Sequence, residues 1–275
     1  MKAIVFMDLS EMDFTLLRQL VHLQASIELS EVCLVHYVEL SEYTDDLEGY
    51  FPEQDRPVSE IIDEELLEMA EKAGISKNII SSRIFTDGSK ERLVEWVNKS
   101  NYGFCLMGKK VIHKGTGVFS ARMARLLKKS ILLTTETSVL NVSKVLVSID
   151  FSTYSRKALE LVTEFLTKVP ARIITFNVFK LPMVYFPYVQ HRGDMGIEEH
   201  TERSLKRLKK FTKKFDPDDR FEKVVQYGGD ESTAKIIYNF AKYEFIDLIV
   251  MGYKGNTDDE GVLIGSVAEQ LIRSD

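Results

Sequence analysis

The 275-residue sequence has little cysteine, no long apolar run and no surplus of positive charge. Each shortage removes a class of function. Its two cysteines, Cys33 and Cys105, lie inside the apolar runs EVCLVHYV and YGFCLMG. They cannot build a disulfide framework, so a reducing compartment is expected, with both thiols serving as small core residues. No stretch approaches the roughly eighteen apolar residues that a membrane span requires. The opening MKAIVFMDLSE has an apolar run, Ala3–Met7, that Asp8 interrupts too early for a signal-peptide core. No membrane association and a cytoplasmic location are therefore expected. With 36 basic against 42 acidic residues and a net charge of −6, there is no cationic surplus for nucleic acid or anionic lipid. His22, His36, His113, His191 and His200 are scattered without metal-ligand spacing, and no metal site is expected. Nothing in the residue order marks a nucleophile or a general base, so no catalytic residue is assigned.

What is present is repetition, on a composition (44% hydrophobic) that can bury a core. KAIVFMDLSEMDFTLLRQLVHL opens the chain, and SKVLVSIDFSTYSRKALELVTEFL opens at Ser143. Both read as an apolar strand, an aspartate (Asp8 or Asp150), a serine and a helical pattern. In the second copy Ala158, Leu161, Val162, Phe165 and Leu166 mark one helix face. The parallel continues from VCLVHYV to RIITFNVF, and from FTDGSKERLVEWVNKSNYGFCLMG to QYGGDESTAKIIYNFAKYEFIDLIVMG. It ends with GVFSARMARLLKKS and GVLIGSVAEQLIRS. Motifs recurring in order at nearly constant spacing indicate a tandem duplication. The domains are set at 1–138 and 139–275, with the seam near Thr134–Lys144.

Within each copy, short apolar runs alternate with helical patterns. This predicts an α/β fold of two tandem, open parallel-sheet sandwich domains, Rossmann-like in their winding. Ligands in such sheets bind at the carboxyl ends of the strands, where the winding direction switches. In copy two Asp150, Val178 and Gly252 fall on that rim. The stretch MGYKGNTDDEGVLIGS then supplies Gly252, Gly255, Gly261 and Gly265, with Ser266 behind, between the apolar run Ile246–Met251 and a helical pattern. Glycines admit close backbone approach and positive φ, and a helix opening at Gly265–Ser266 offers free N–H groups to an anion.

These residues resemble the tandem universal stress proteins, over nearly the whole chain. The most specific element is the family's nucleotide-loop pattern G-x2-G-x9-G-[ST], met by Gly252, Gly255, Gly265 and Ser266. The resemblance implies the adenine nucleotide alpha hydrolase-like variety of this fold and the binding of ATP or AMP, with or without Mg²⁺. It implies that Asp150 holds the nucleoside end, the Val178 backbone reads the adenine and Met251 lines the pocket. Gly252, Gly255, Gly265, Ser266 and Val267 would surround ribose and phosphates. Ser148 and Ile149 stand where ATP-binding members often carry Pro-Thr, which removes one hydroxyl. Asp258, Asp259 and Glu260 replace a stretch that is commonly basic or neutral, leaving Lys254 as the loop's cation. The acids read as a solvated loop tip or as sharing a divalent cation with the phosphates; the latter would leave room for ATP turnover.

Copy one departs further, with Val111 for the second glycine and Ser120-Ala121 for Gly-Ser. It is expected to be a degenerate, non-binding half with a basic loop at Lys109, Lys110, His113 and Lys114. The amphipathic segment Glu202–Phe215 is expected to cover the sheet through Leu205, Leu208, Phe211 and Phe215. The segment 181–196, with Tyr185, Phe186 and Tyr188, reads as a lid, a docking patch for a protein partner or packing between the halves. Such docking would suit the alternative function, a scaffold that binds no nucleotide. Copy two lacks a counterpart of the strand at Ser130–Glu136. That strand is expected either to join the halves as an intramolecular pseudo-dimer or to pair with a second molecule as a homodimer.

Overall fold

The computed structural model describes residues 1–24, 28–38, 56–86, 89–109, 117–138, 141–166, 170–181, 193–255 and 264–274. The chain divides into two units, Met1–Leu140 and Asn141–Asp275. In the first, strands β1 (Lys2–Met7), β2 (Glu31–Tyr37), β3 (Ile80–Phe85), β4 (Phe104–Lys109) and β5 (Ser130–Thr135) alternate with helices. These are α1 (Glu11–Gln24), α2 (Val58–Lys72), α3 (Lys90–Lys99) and α4 (Gly117–Leu126). The second unit repeats the order with β6 (Lys144–Ser148), α5 (Thr153–Leu166), β7 (Arg172–Phe179), α6 (Gly193–Thr212), β8 (Glu222–Tyr227), α7 (Thr233–Tyr243), β9 (Leu248–Met251) and α8 (Ser266–Arg273).

Continuous apolar strands need cover on both faces, and here they have it. Val5 and Met7 of β1 pack with Leu16, Leu17 and Leu20 of α1 and Leu66 of α2. Ile4 and Phe6 point the other way, to Leu93 and Val97 of α3 and Met123 of α4. In the second unit Val145 and Val147 meet Ala158, Leu159 and Val162 of α5 and Leu208 of α6. On the far face Leu146 and Phe176 meet Ile236 and Ile237 of α7. The buried stripe of α5 thus includes Leu159, fully covered, whereas Leu161 is only half-buried. The sheet-covering role of α6 holds for Leu208, Phe211 and Phe215, although the helix begins earlier, at Gly193, and ends at Thr212. In the first unit the single tryptophan, Trp96, sits among Phe85, Tyr102 and the Arg83 guanidinium, 4.8 Å above its ring.

Every sheet pairing is parallel, in the orders β3-β2-β1-β4-β5 and β8-β7-β6-β9. The winding therefore reverses between β1 and β4 in one unit and between β6 and β9 in the other. Among the described residues the second sheet has no partner strand in the place that β5 takes beside β4.

A buried ion pair anchors the start of β8. Asp216 accepts the Arg220 N–H at 2.7 Å, the Phe221 N–H at 2.8 Å and the Lys223 Nζ at 2.6 Å. Burial works to raise its carboxyl, but the Lys223 ammonium and the two amides outweigh it and hold Asp216 below its ordinary value. A carboxyl held low in the folded state stabilises fully above its unfolded pKa, and that contribution disappears as pH falls through the folded value. Asp216→Ala leaves Lys223 buried with only the exposed Asp219 as partner. It should cost about 3 kcal/mol at neutral pH. In calorimetric melting the deficit should begin to close below about pH 4.

Candidate functional site

The rim of the second unit begins where β6 ends. Ile149 N–H donates to Phe176 O at 2.8 Å, and Ile149 O accepts Asn177 Nδ2 at 2.7 Å. Asp150, next in the chain, is exposed, and its Oδ1 accepts the Ser152 N–H at 2.9 Å. Between them Phe151 sits at φ 66°, in the left-handed region that costs a non-glycine residue about 1–2 kcal/mol. Its ring is held from α6, by the Arg207 guanidinium at 4.0 Å and by Phe211 edge-on at 5.6 Å. Ser152 Oγ then accepts the Ser155 N–H at 3.1 Å and opens α5.

The glycine loop leaves β9 beside this turn. Ser148 and Met251 are partners in register, so the chain after each emerges at one level. Gly252 lies against the first turn of α5: a Cβ there would stand 2.7 Å from Tyr154 Cβ and 2.8 Å from the Tyr154 carbonyl carbon. A Cβ on Gly255 would stand 3.1 Å from Asp150 Oδ2. Gly265 N–H donates to Tyr253 O at 2.6 Å, and its Cβ position is 3.3 Å from the same oxygen. Sequence reasoning credits the glycines with both positive φ and close approach. Positive φ among the described glycines belongs to Gly74 and Gly229 alone, so at Gly252, Gly255 and Gly265 close approach is the operative reason. Gly265 is the N-cap of α8 (φ −71°, ψ 148°), and Ser266, exposed, is its first residue without a side-chain capping bond.

The other anticipated residues are placed unequally. Ile149 is 2% exposed with its side chain in the core and both backbone groups engaged. Val178 and Val267 are half-buried, with their side chains packed against the Phe176 cluster. Asp258, Asp259 and Glu260 lie outside the described residues, as do Tyr185, Phe186 and Tyr188 and the basic loop residues Lys110, His113 and Lys114. No group of three or more metal-ligating side chains occurs among the described residues, and no described helix is long and apolar enough to cross a membrane.

Sequence reasoning missed an aromatic pair on this rim. Tyr154 and Tyr253 meet edge-to-face with centroids 4.6 Å apart. Hydrogen bonding with Tyr154 and burial push the Tyr253 phenol up to about 12, so its hydroxyl stays protonated at neutral pH. The tyrosines stand far apart in the chain, and no local periodicity announces them.

The same rim in the first unit carries different side chains. Leu9, at φ 59°, repeats the left-handed turn of Phe151. Asp13, 1% exposed, accepts the Leu9 N–H at 2.7 Å and the Asp8 N–H at 3.2 Å, where copy two has Ser155. Helix α4 starts at Gly117, so Ser120 and Ala121 lie inside it instead of opening it. Ser120, buried, donates Oγ–H to Gly108 O at 2.6 Å, and Phe119 stacks on Tyr37 at 6.5 Å. A Cβ on Gly108 would meet Met12 Cγ at 2.6 Å, in a buried side chain that must turn to make room. Gly252 faces backbone atoms instead. Gly252→Ala should therefore cost about 2 kcal/mol of stability, and Gly108→Ala distinctly less, in parallel thermal melts.

Residues 141–274 match the Universal stress protein family. The structure of a universal stress protein from Archaeoglobus fulgidus is similar over 100% of this chain and 93% of its own, at 19% identity and a TM-score of 0.65. The hypothetical protein MJ0577 is similar over 49% of this chain and 90% of its own (23% identity, TM-score 0.42). For UspA from Lactobacillus plantarum the shares are 48% and 92% (18% identity, TM-score 0.37). No curated protein matches the sequence. With the same strand order and the same turn after the first strand in both halves, residues 141–274 are a universal stress protein domain, and the chain carries that family's fold twice.

Proposed function

We propose that the second half binds an adenine nucleotide, ATP or AMP, and that this binding serves a stress response in the cytoplasm. The observation that carries the reading is convergence at the switch point. Gly255 lies on the Asp150 carboxylate, and Gly265 and Ser266 open α8 beside it. Asp150 would hold the nucleoside end, the Val178 backbone the base, and Met251 one wall. Amides of Gly252, Gly255, Gly265, Ser266 and Val267 would surround the sugar and phosphates, where the positive end of α8 favours an anion. Mg²⁺, where required, would arrive with the phosphates of ATP. The first half would bind none, since Asp13, Ser120 and Phe119 already occupy its rim.

One observation favours a second reading, a scaffold that works through protein partners and binds no nucleotide. Gly252, Gly255 and Gly265 each already make close contacts within the free chain, and Gly265 N–H is committed to Tyr253 O. Calorimetry with ATP and AMP, with and without Mg²⁺, separates the two. Binding heat and a raised melting temperature are expected, with Gly265→Val abolishing both and Gly108→Ala leaving them unchanged. Silence at millimolar nucleotide would establish the scaffold instead.

The proposal extends to assembly. Among the described residues β5 is the outer strand of its sheet, and an apolar edge strand invites a partner. An internal pseudo-dimer predicts a monomer by light scattering in which Leu132→Lys lowers stability. A homodimer predicts that the same change yields folded monomers.

A further inference from the structure

Helices α2 and α6 hold the same place in the two duplicated halves, each joining the second strand of its sheet to the third. Both turn an apolar face inward, α2 with Ile62, Leu66 and Met69 and α6 with Leu208 and Phe211. Their solvent faces carry opposite charge. From Glu60 to Glu71, α2 exposes glutamates, with Glu60, Glu64 and Glu68 in one row, and the stretch contains no base. From Arg203 to Lys214, α6 and the turn after it expose seven cations and contain no acid, with Arg203, Arg207, Lys210 and Lys214 in one row. Each stripe covers a stretch of the same length, about 16 Å at the rise of a helix. The two therefore match in extent as well as in sign.

Neither stripe is explained by its own helix. Cations in the last turns of α6 suit the helix dipole, but Glu68 and Glu71 stand at the negative end of α2, where acids are disfavoured. Like charges recur four residues apart on both helices, a spacing that repels. Arg56 reaches Glu60 and Glu64, Lys72 reaches Glu68 and Lys77 reaches Glu71, and exposed pairs of this kind are typically weak. On α6 the pairs stop at Arg203–Glu199 and Lys206–Glu202. Lys209, Lys210 and Lys213 have no ion pair among the described residues.

We infer that α6 of one copy docks on α2 of a second copy of this chain, the cationic stripe against the acidic one. Because the two faces differ, the contact is heterologous, and it either closes in a reciprocal pair or continues from copy to copy. It uses neither the glycine loop nor the edge of β5, so it is independent of the nucleotide reading and of pairing through β5. Its signature is specific. A chain of net charge −6 repels its own copies most strongly at low ionic strength, and local complementarity reverses that trend.

The test is light scattering of the full chain across a salt series. The weight-average mass at 10 mM salt should be at least about 1.5-fold that at 1 M, where the screening length has fallen from about 30 Å to about 3 Å. Lys206→Glu with Lys210→Glu should remove the increment, and so should Glu64→Lys with Glu68→Lys. Both pairs should keep the wild-type melting temperature, because all four side chains are exposed. Joining the two pairs in one chain makes the stripes opposite again and should restore the increment. A mass that stays level or falls at low salt overturns the inference. So does association that survives reversal of either helix, or that the combined variant fails to regain. If a variant does not fold, carbodiimide coupling of mixed isotope-labelled and unlabelled wild type decides. Mixed-label peptides joining 203–214 to 60–71 support the inference, and their absence overturns it.

Discussion

The rim of the second unit depends on one close contact, the backbone of Gly252 lying against the first turn of α5 at Tyr154 and Ser155. No side chain fits between them. Because β6 and β9 are neighbours in register, this contact sends the chain after β9 back across the switch point, where Gly255 reaches Asp150 and Tyr253 O takes the Gly265 N–H. The start of α8 is thereby fixed beside the aspartate. The turn on the other side is equally constrained: Phe151 is held in a left-handed conformation by its ring's contacts with Arg207 and Phe211. Strain of this kind persists only where surrounding packing over-determines it, and it commonly marks functional rims.

The two units show how a duplicated rim diverges without loss of fold. Shared features are those on which the strand ends depend: the left-handed residue after each aspartate, the serine that follows it, and the side-chain brace from His36 or Asn177. Divergent features are those that decide whether space remains. Asp13 brings a carboxylate onto the amides of Asp8 and Leu9, and α4 begins early enough to bring Phe119 and Ser120 inward. Helical hydrogen bonding compensates the earlier start of α4, and the buried carboxylate is held by the amides it covers.

Much of the fold was legible because its signals are local. Apolar runs such as AIVFM and KVLVS have no polar alternation, which fits strands covered on both faces, and the repeat in order made two such sheets the natural reading. The rim positions of Asp150, Val178 and Gly252 followed from strand ends alone. The side of α5 was read less well, since Leu159 and Leu161 flank the same stripe and only packing against α6 and the sheet selects Leu159. The reason for the glycines was half legible: composition suits either positive φ or close approach, and the choice is made by Tyr154, which lies nearly a hundred positions upstream. Asn177 and the pair Tyr154–Tyr253 carried no signal, because each acquires its meaning from a partner in another strand or loop.

The placement of the only indole has a practical corollary. Trp96 is packed among Phe85, Tyr102 and Arg83 in the first unit, on α3 and far along the sequence from the glycine loop. Its emission is an optical probe of the first unit. The phenols of Tyr154 and Tyr253 lie at the other rim, two among the eleven tyrosines of the chain. A change confined to the indole signal therefore reports on the first unit, because the second contains no tryptophan.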